Sequence, residues 1–377
     1  MMPMNHHLDP LERSGIRVFT NLAKATPDCR MLTIGEPDQP TPEPVQQAAL
    51  GALSRGETHY APNQGTVSLR TAIAAFETNR GRPTAPEEVL VTVGATQALY
   101  TALTGILNPG DQVIIPTPAF SLYATIVTAA GAEPVFLDVT KTDFQITEQA
   151  LAACLTEKTR AIVLNSPCNP TGVILNESSL DNVARAIQGR EIYLICDNVY
   201  NQLVYAPCGD LTLREDLRPQ TVLCQSFSKP YAMTGWRVGY LICPEALLNR
   251  LLLLSAAQIA AVPTFLQTAA EAALKVDVAP MRRLYRRRRD YVCARLEQMG
   301  LSYPKPEGAF YVFPDISRFG VPSWQFCERM IREAGLAAVP GMCFGAEGYI
   351  RLSYCYGDRE LEEGLDRLED FLKALSE

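Results

Sequence analysis

From Glu87 onward this chain keeps switching between two periods, and that switching limits what it can fold into. Val89 to Val93 reads as a strand and Thr96 to Leu107 carries helical spacing. Gln112 to Ile115, Val135 to Val139, Ala161 to Leu164 and Ile192 to Cys196 are further short β-branched runs, several separated by helix-like stretches. Such alternation predicts an α/β fold in which a mostly parallel sheet is covered by helices. Ligands of such sheets sit beyond the carboxyl ends of the strands, so chemistry is expected where strand-like runs stop.

A chain of 377 residues exceeds what one hydrophobic core usually serves, which predicts about two domains. With 47% hydrophobic residues, 20% charged and a net charge of -7, it reads as a soluble globular enzyme and not as a nucleic-acid binder. The basic run Arg286 to Arg289, with Arg282 and Arg283 nearby, reads as a solvated helix face. The start, MMPMNHHLDP, lacks an apolar export core. The most apolar run, Leu247 to Val262, is interrupted by Asn249, Arg250 and Gln258, so no membrane span is expected. Eleven cysteines without a CxxC pair point to reduced thiols and a cytoplasmic location. Only His6, His7 and His59 are available, which leaves almost nothing for a histidine-based triad or zinc site. The chemistry must be run by Lys, Tyr, Asp or a bound cofactor.

One stretch joins those possibilities. Gln225 to Gly239 reads QSFSKPYAMTGWRVG between two strand-like runs, Thr221 to Cys224 and Val238 to Ile242. It sets Lys229 among the hydroxyls of Ser226 and Ser228, a Thr234-Gly235 pair and the cation of Arg237. That is a composition suited to an anion held beside an amine, with the amine pushed toward its neutral form. The plain alternative is a solvated surface loop. VGATQAL places Gly94, Ala95 and Thr96 between strand and helix, a phosphate site in form. DNVY puts Asp197 after an apolar strand with Tyr200 three residues on; a helix N-cap is the alternative for Asp197.

SFSKPYAMTGWRVGY resembles the lysine-centred signature of the class I/II aminotransferases, the fold-type I enzymes that use pyridoxal 5′-phosphate. The resemblance runs from Gly35 in IGEPDQPTPEPV through HYAPNQG, TPAF, SPCNPTG and DNVY to Arg351 in YIRLSY, in the family's order. It implies that Lys229 holds the cofactor covalently and serves as the base, and that Asp197 keeps the pyridine nitrogen protonated. Asn169 and Tyr200 would meet the ring oxygen, and Phe120 would stack on the ring. Gly94, Ala95, Thr96, Ser226, Ser228 and Arg237 would hold the phosphate, with Tyr60 reaching it from a neighbouring subunit. Gly35, Asn169 and Arg351 would face the substrate, Arg351 gripping the α-carboxylate in a bidentate fork. The partners implied are an amino acid and a 2-oxo acid, with a homodimer sharing its active sites. The domains implied are a large one over 45–278 and a smaller α+β one from 1–44 and 279–377, where the texture changes after Ala279.

Three departures stand out. Thr96 occupies a place where some aspartate-specific relatives carry lysine, Cys168 one where asparagine is usual, and Asn198 one where glutamate is usual. Pro170 suits a rigid bend, cis included. The same scaffold also supports carbon-sulfur lyases and aminocyclopropane carboxylate synthases, so these stay as alternatives to amino transfer. A non-catalytic sensor domain is a third, disfavoured because no DNA-binding segment reads before residue 35.

Overall fold

The computed structural model describes residues 5–11 and 14–376. A short strand β1 (Arg30–Met31) comes first. The main sheet follows with β2 (Val89–Thr92), β3 (Gln112–Thr117), β4 (Glu133–Asp138), β5 (Thr159–Asn165), β6 (Tyr193–Asp197), β7 (Thr221–Ser226) and β8 (Gly239–Ile242). These seven lie in the order β2-β8-β7-β6-β5-β3-β4. All pairings are parallel except those of β8, which runs antiparallel to both β2 and β7. The exception has a local cause. Residues 227–238 return from β7 to its neighbour without a crossover helix, and a direct return reverses the strand.

Burial differs between the two edges of the sheet, β2 and β4. β2, β7 and β8 are buried at every residue, as expected of strands covered on both faces. The edge strand β4 leaves Glu133, Phe136 and Asp138 exposed, and the two acids discourage pairing by another chain. Strand runs read from the sequence appear within one or two residues of their expected ends.

The remaining strands are β9 (Tyr311–Val312), β10 (Leu336–Ala337), β11 (Val339–Pro340) and β12 (Ile350–Ser353). β1 pairs in parallel with β10, and β12 lies between β11 and β9 in an antiparallel trio. Helices Ala279–Gln298, Ser323–Ala334 and Asp358–Ser376 pack with these strands around a core containing Phe19, Tyr285, Phe310, Phe326 and Leu365. Tyr200 and Leu203 join the same core, so the turn after β6 is anchored to these helices and strands.

Two expectations are corrected. The Arg286–Arg289 run is not wholly solvated, because Arg288 and Arg289 are buried. Arg288 forks onto Asp38 with two bonds of 2.8 Å and reaches Asp358 at 2.9 Å, while Arg289 donates to the Pro306 carbonyl. A guanidinium tolerates burial when carboxylates and carbonyls fill its donors. In SPCNPTG the cis peptide precedes Pro167, not Pro170; a second precedes Pro118.

Candidate active site

Motifs begin where parallel strands end, so their side chains converge on one cavity of about 550 Å³ at the carboxyl edge of the sheet. β12 and the N-terminal helix Gly15–Ala25 close its other side.

Asp197 forms the floor. Its buried carboxylate accepts the Tyr123 hydroxyl at 2.6 Å and the Val199 N–H at 3.4 Å, and among the described residues no cation bonds to it. Burial raises its pKa to about 6, although the two hydrogen bonds and the charge of Lys229 oppose the rise. The residues after Asp197 form turns and no helix, which removes the N-cap reading. Asn165, at the end of β5, donates to the Asp197 carbonyl at 2.8 Å and accepts the Asn169 N–H at 2.8 Å. One side chain thereby fixes two neighbouring motifs in register.

Lys229 lies in the loop from β7 to β8 and donates to the Gly35 carbonyl at 2.6 Å. Its side chain keeps a partly open face toward the cavity, but the amine is enclosed by protein. Burial lowers its pKa to about 8, with Arg351 and Arg237 pushing the same way and Cys355 and Glu36 opposing. Gly35 permits this contact because a Cβ there would stand 1.7 Å from the Tyr311 hydroxyl.

Beside the amine is an anion cup. Ser226 and Ser228 exchange a bond of 2.8 Å between their hydroxyls. Arg237, held in the left-handed region at φ 55°, donates to the Thr234 carbonyl at 2.9 Å. Ala95 and Thr96 stand in the first turn of the helix Gly94–Ile106, where backbone N–H groups lack intrahelical partners and favour a phosphate. Gly94 adopts φ 69°, and a Cβ on it would approach Arg237 Nη2 to 2.6 Å.

Arg351 makes the opposite wall. It is buried, donates Nη1 to Asn169 Oδ1 at 2.7 Å and Nη2 to the Thr33 carbonyl, and its Nε has no partner among the described residues. Its guanidinium lies over the Tyr311 and Phe344 rings at 4.5 and 4.9 Å. The hydroxyls of Tyr311 and Tyr200 are 2.8 Å apart.

Lys229, Asp197, Tyr200, Ala95, Thr96, Phe120, Asn169, Ser226, Ser228, Arg237, Gly35 and Arg351 all line this cavity, and Gly94 stands just behind it. Tyr60 does not; it is 90% exposed. Tyr123, Asn165 and Tyr311 also line the cavity and were not singled out in the sequence. For Tyr123 the only signal was its place three residues after Phe120. A buried carboxylate with no cation, an enclosed amine and a cup of hydroxyls, N–H groups and arginine together fit a phosphorylated aldehyde carrying a basic ring nitrogen.

Residues 27–368 match the family described as aminotransferase class I and II. The chain belongs to that family. A probable N-acetyl-LL-diaminopimelate aminotransferase of Bacillus subtilis is 39% identical, the match covering 98% of this chain and 96% of that protein. An aspartate aminotransferase of Pyrococcus abyssi is 38% identical, with 99% of each covered. Among solved structures, the aspartate aminotransferase from Thermus thermophilus with maleate superposes with a TM-score of 0.94 at 34% identity, covering 98% of this chain and 100% of that one. This aminotransferase therefore uses pyridoxal 5′-phosphate and moves an amino group between an amino acid and a 2-oxo acid. The expected α/β scaffold of the fold-type I enzymes is borne out as well.

Proposed function

We propose that Lys229 is the covalent anchor of the cofactor and the proton-transferring base of this aminotransferase, and that Asp197 sets the charge of the cofactor ring. The supporting observation is that both groups face one cavity from the ends of adjacent strands, with Arg351 across from them. When bound, pyridoxal 5′-phosphate supplies an aldehyde for the substrate amine and a protonated ring that draws electrons from the α-carbon.

Arg351 orients the substrate by its α-carboxylate, with Asn169 holding the guanidinium in place. An amine with a pKa of about 8 suits a group that accepts the proton of the substrate α-carbon and returns it near neutral pH. Asp197, ionised above about pH 6, would hold the ring nitrogen protonated. Tyr200 and Asn169 would meet the ring oxygen, Phe120 would stack on the ring, and the cup of Gly94, Ala95, Thr96, Ser226, Ser228 and Arg237 would hold the phosphate.

The active unit in this reading is a homodimer in which Tyr60 completes the partner's phosphate site. Its 90% exposure, with Leu50, Val67 and Leu253 also exposed, supports the idea. The same reading divides the chain into a large domain, 45–278, and a small one, 1–44 with 279–377. It is supported by the short sheets that strand Arg30–Met31 and the strands after residue 310 make apart from the main one. A cytoplasmic location rests on the eleven scattered cysteines; among the described residues no helix is long and apolar enough to cross a membrane.

The test is an amino-donor screen with and without 2-oxoglutarate. Amino transfer that requires the acceptor is expected. Acceptor-independent release of ammonia and pyruvate from cysteine-type substrates would instead support a lyase.

A further inference from the structure

We infer that Tyr311 is a positioning residue that acts through Tyr200: its hydroxyl donates to the Tyr200 hydroxyl and so aims the Tyr200 proton at the ring oxygen of the cofactor. The inference rests on the aminotransferase reading above and adds to it a cavity residue which that reading leaves without work.

The two hydroxyls are 2.8 Å apart, and either can be the donor. Among the described residues neither has another hydrogen-bond partner. A phenol has one proton to donate and can accept as well. Once Tyr200 donates to the ring oxygen it has no proton left for Tyr311, so the pair persists only with Tyr311 as the donor. The order Tyr311 to Tyr200 to ring oxygen follows from that count, and each bond in such a chain polarises the next.

The alternative is that Tyr311 only fills space. Its ring would do that without a hydroxyl. It meets the Tyr200 and Phe310 rings edge-on, with centroids 5.8 and 5.0 Å away, and the Arg351 guanidinium lies over it at 4.5 Å. The hydroxyl instead needs room that a neighbour must yield. Gly35 yields it, since a Cβ there would stand 1.7 Å from that oxygen. Gly35 has no left-handed φ, so space for the hydroxyl is what this glycine provides. Phe310 also packs edge-on against Tyr200 at 5.5 Å, so three interlocked rings fix where both hydroxyls point.

Both phenols keep their protons at neutral pH. Burial and the neighbouring Tyr311 hold Tyr200 well above the ordinary phenol value, and burial pushes Tyr311 up to about 12 against the pull of Arg351 and of the bond with Tyr200. Asp197 and Cys355 are the other titratable groups that act on the pair.

The test follows the visible absorption of the cofactor-loaded enzyme through a pH titration. Tyr200 favours the charged form of the ring oxygen, so weakening its bond moves the colour change to higher pH. Tyr311→Phe keeps the ring, removes the hydroxyl and should raise that pH by ~0.3–1 units. Tyr200→Phe should raise it further. Adding Tyr311→Phe to Tyr200→Phe should change nothing more, because Tyr311 has then lost the group it acts through. Arg351, Asp197 and Cys355 stay in every variant, so the comparison cancels their part. A Tyr311→Phe enzyme that titrates like wild type while Tyr200→Phe is shifted overturns the proposal alone. So does a full-sized Tyr311→Phe shift in the Tyr200→Phe background. No shift in either single variant removes Tyr200 from the ring oxygen and overturns that part of the reading along with the proposal.

Discussion

Tyr123 donates its hydroxyl to Asp197 Oδ2 at 2.6 Å, both groups being buried beneath the cavity. Among the described residues this is the sole side-chain hydrogen bond to that carboxylate. It favours the charged form, yet burial prevails and the pKa stands at about 6. A cation placed against Asp197 from the cavity side would complete its partners, and a protonated ring nitrogen is such a cation.

Removing the tyrosine hydroxyl should weaken that arrangement without emptying the site. Tyr123→Phe is expected to lower cofactor affinity by ~1.5–3 kcal/mol, the range for a hydrogen bond to a charged group. Equilibrium dialysis checks it; unaltered affinity would mean that Asp197 does not depend on Tyr123.

In the cofactor-free protein the two shifted groups act on stability in separate pH windows. Asp197 binds its proton more tightly folded than unfolded, so its contribution is present below pH 3.8 and is lost as pH rises through about 6. Lys229 is the reverse. Its folded pKa of about 8 lies below 10.5, so the unfolded chain holds more protons between them and stability rises with pH across that window. Melting curves of wild type minus Asp197→Asn should slope downward from pH 4 to 6, and of wild type minus Lys229→Met upward from pH 8 to 10.5. Flat difference curves would contradict the burial of these charges.

Arg351→Ala should cost ~2–5 kcal/mol of substrate recognition, the scale for removing one member of a buried charge pair. Arg351→Lys should recover little, because a point charge cannot donate to Asn169 and the Thr33 carbonyl while also forking onto a carboxylate. Steady-state kcat/KM reads both, and an unchanged value would remove Arg351 from the substrate site.

Gly94→Ala tests the anion cup from behind. The new Cβ would lie 2.6 Å from Arg237 Nη2 on a backbone at φ 69°, displacing the arginine and straining the turn. Affinity for pyridoxal 5′-phosphate should fall ~10-fold, about the effect of 1.4 kcal/mol, while unphosphorylated pyridoxal should lose less. Equal losses for both would mean that the cup does not hold the phosphate.

The parallel sheet was legible because its strands are short, β-branched and separated by helical periods. So were Lys229 and Asp197, since each sits where an apolar run stops. Tyr123 and Tyr311 were not, because their roles come from contacts with residues 74 and 111 positions away, which no local pattern encodes. Arg288 misled for the same reason: its partners Asp38 and Asp358 lie far off in sequence, so a buried fork read as part of a wet face. Tyr60 stayed outside the cavity, and the part proposed for it requires a second subunit.

In the proposed mechanism everything passes through Lys229 as the residue that carries the cofactor. Reducing the cofactor-loaded enzyme with borohydride and mapping its peptides should find the phosphopyridoxyl group on Lys229 alone. Label on another lysine, or a loaded protein that takes up none, would contradict the account.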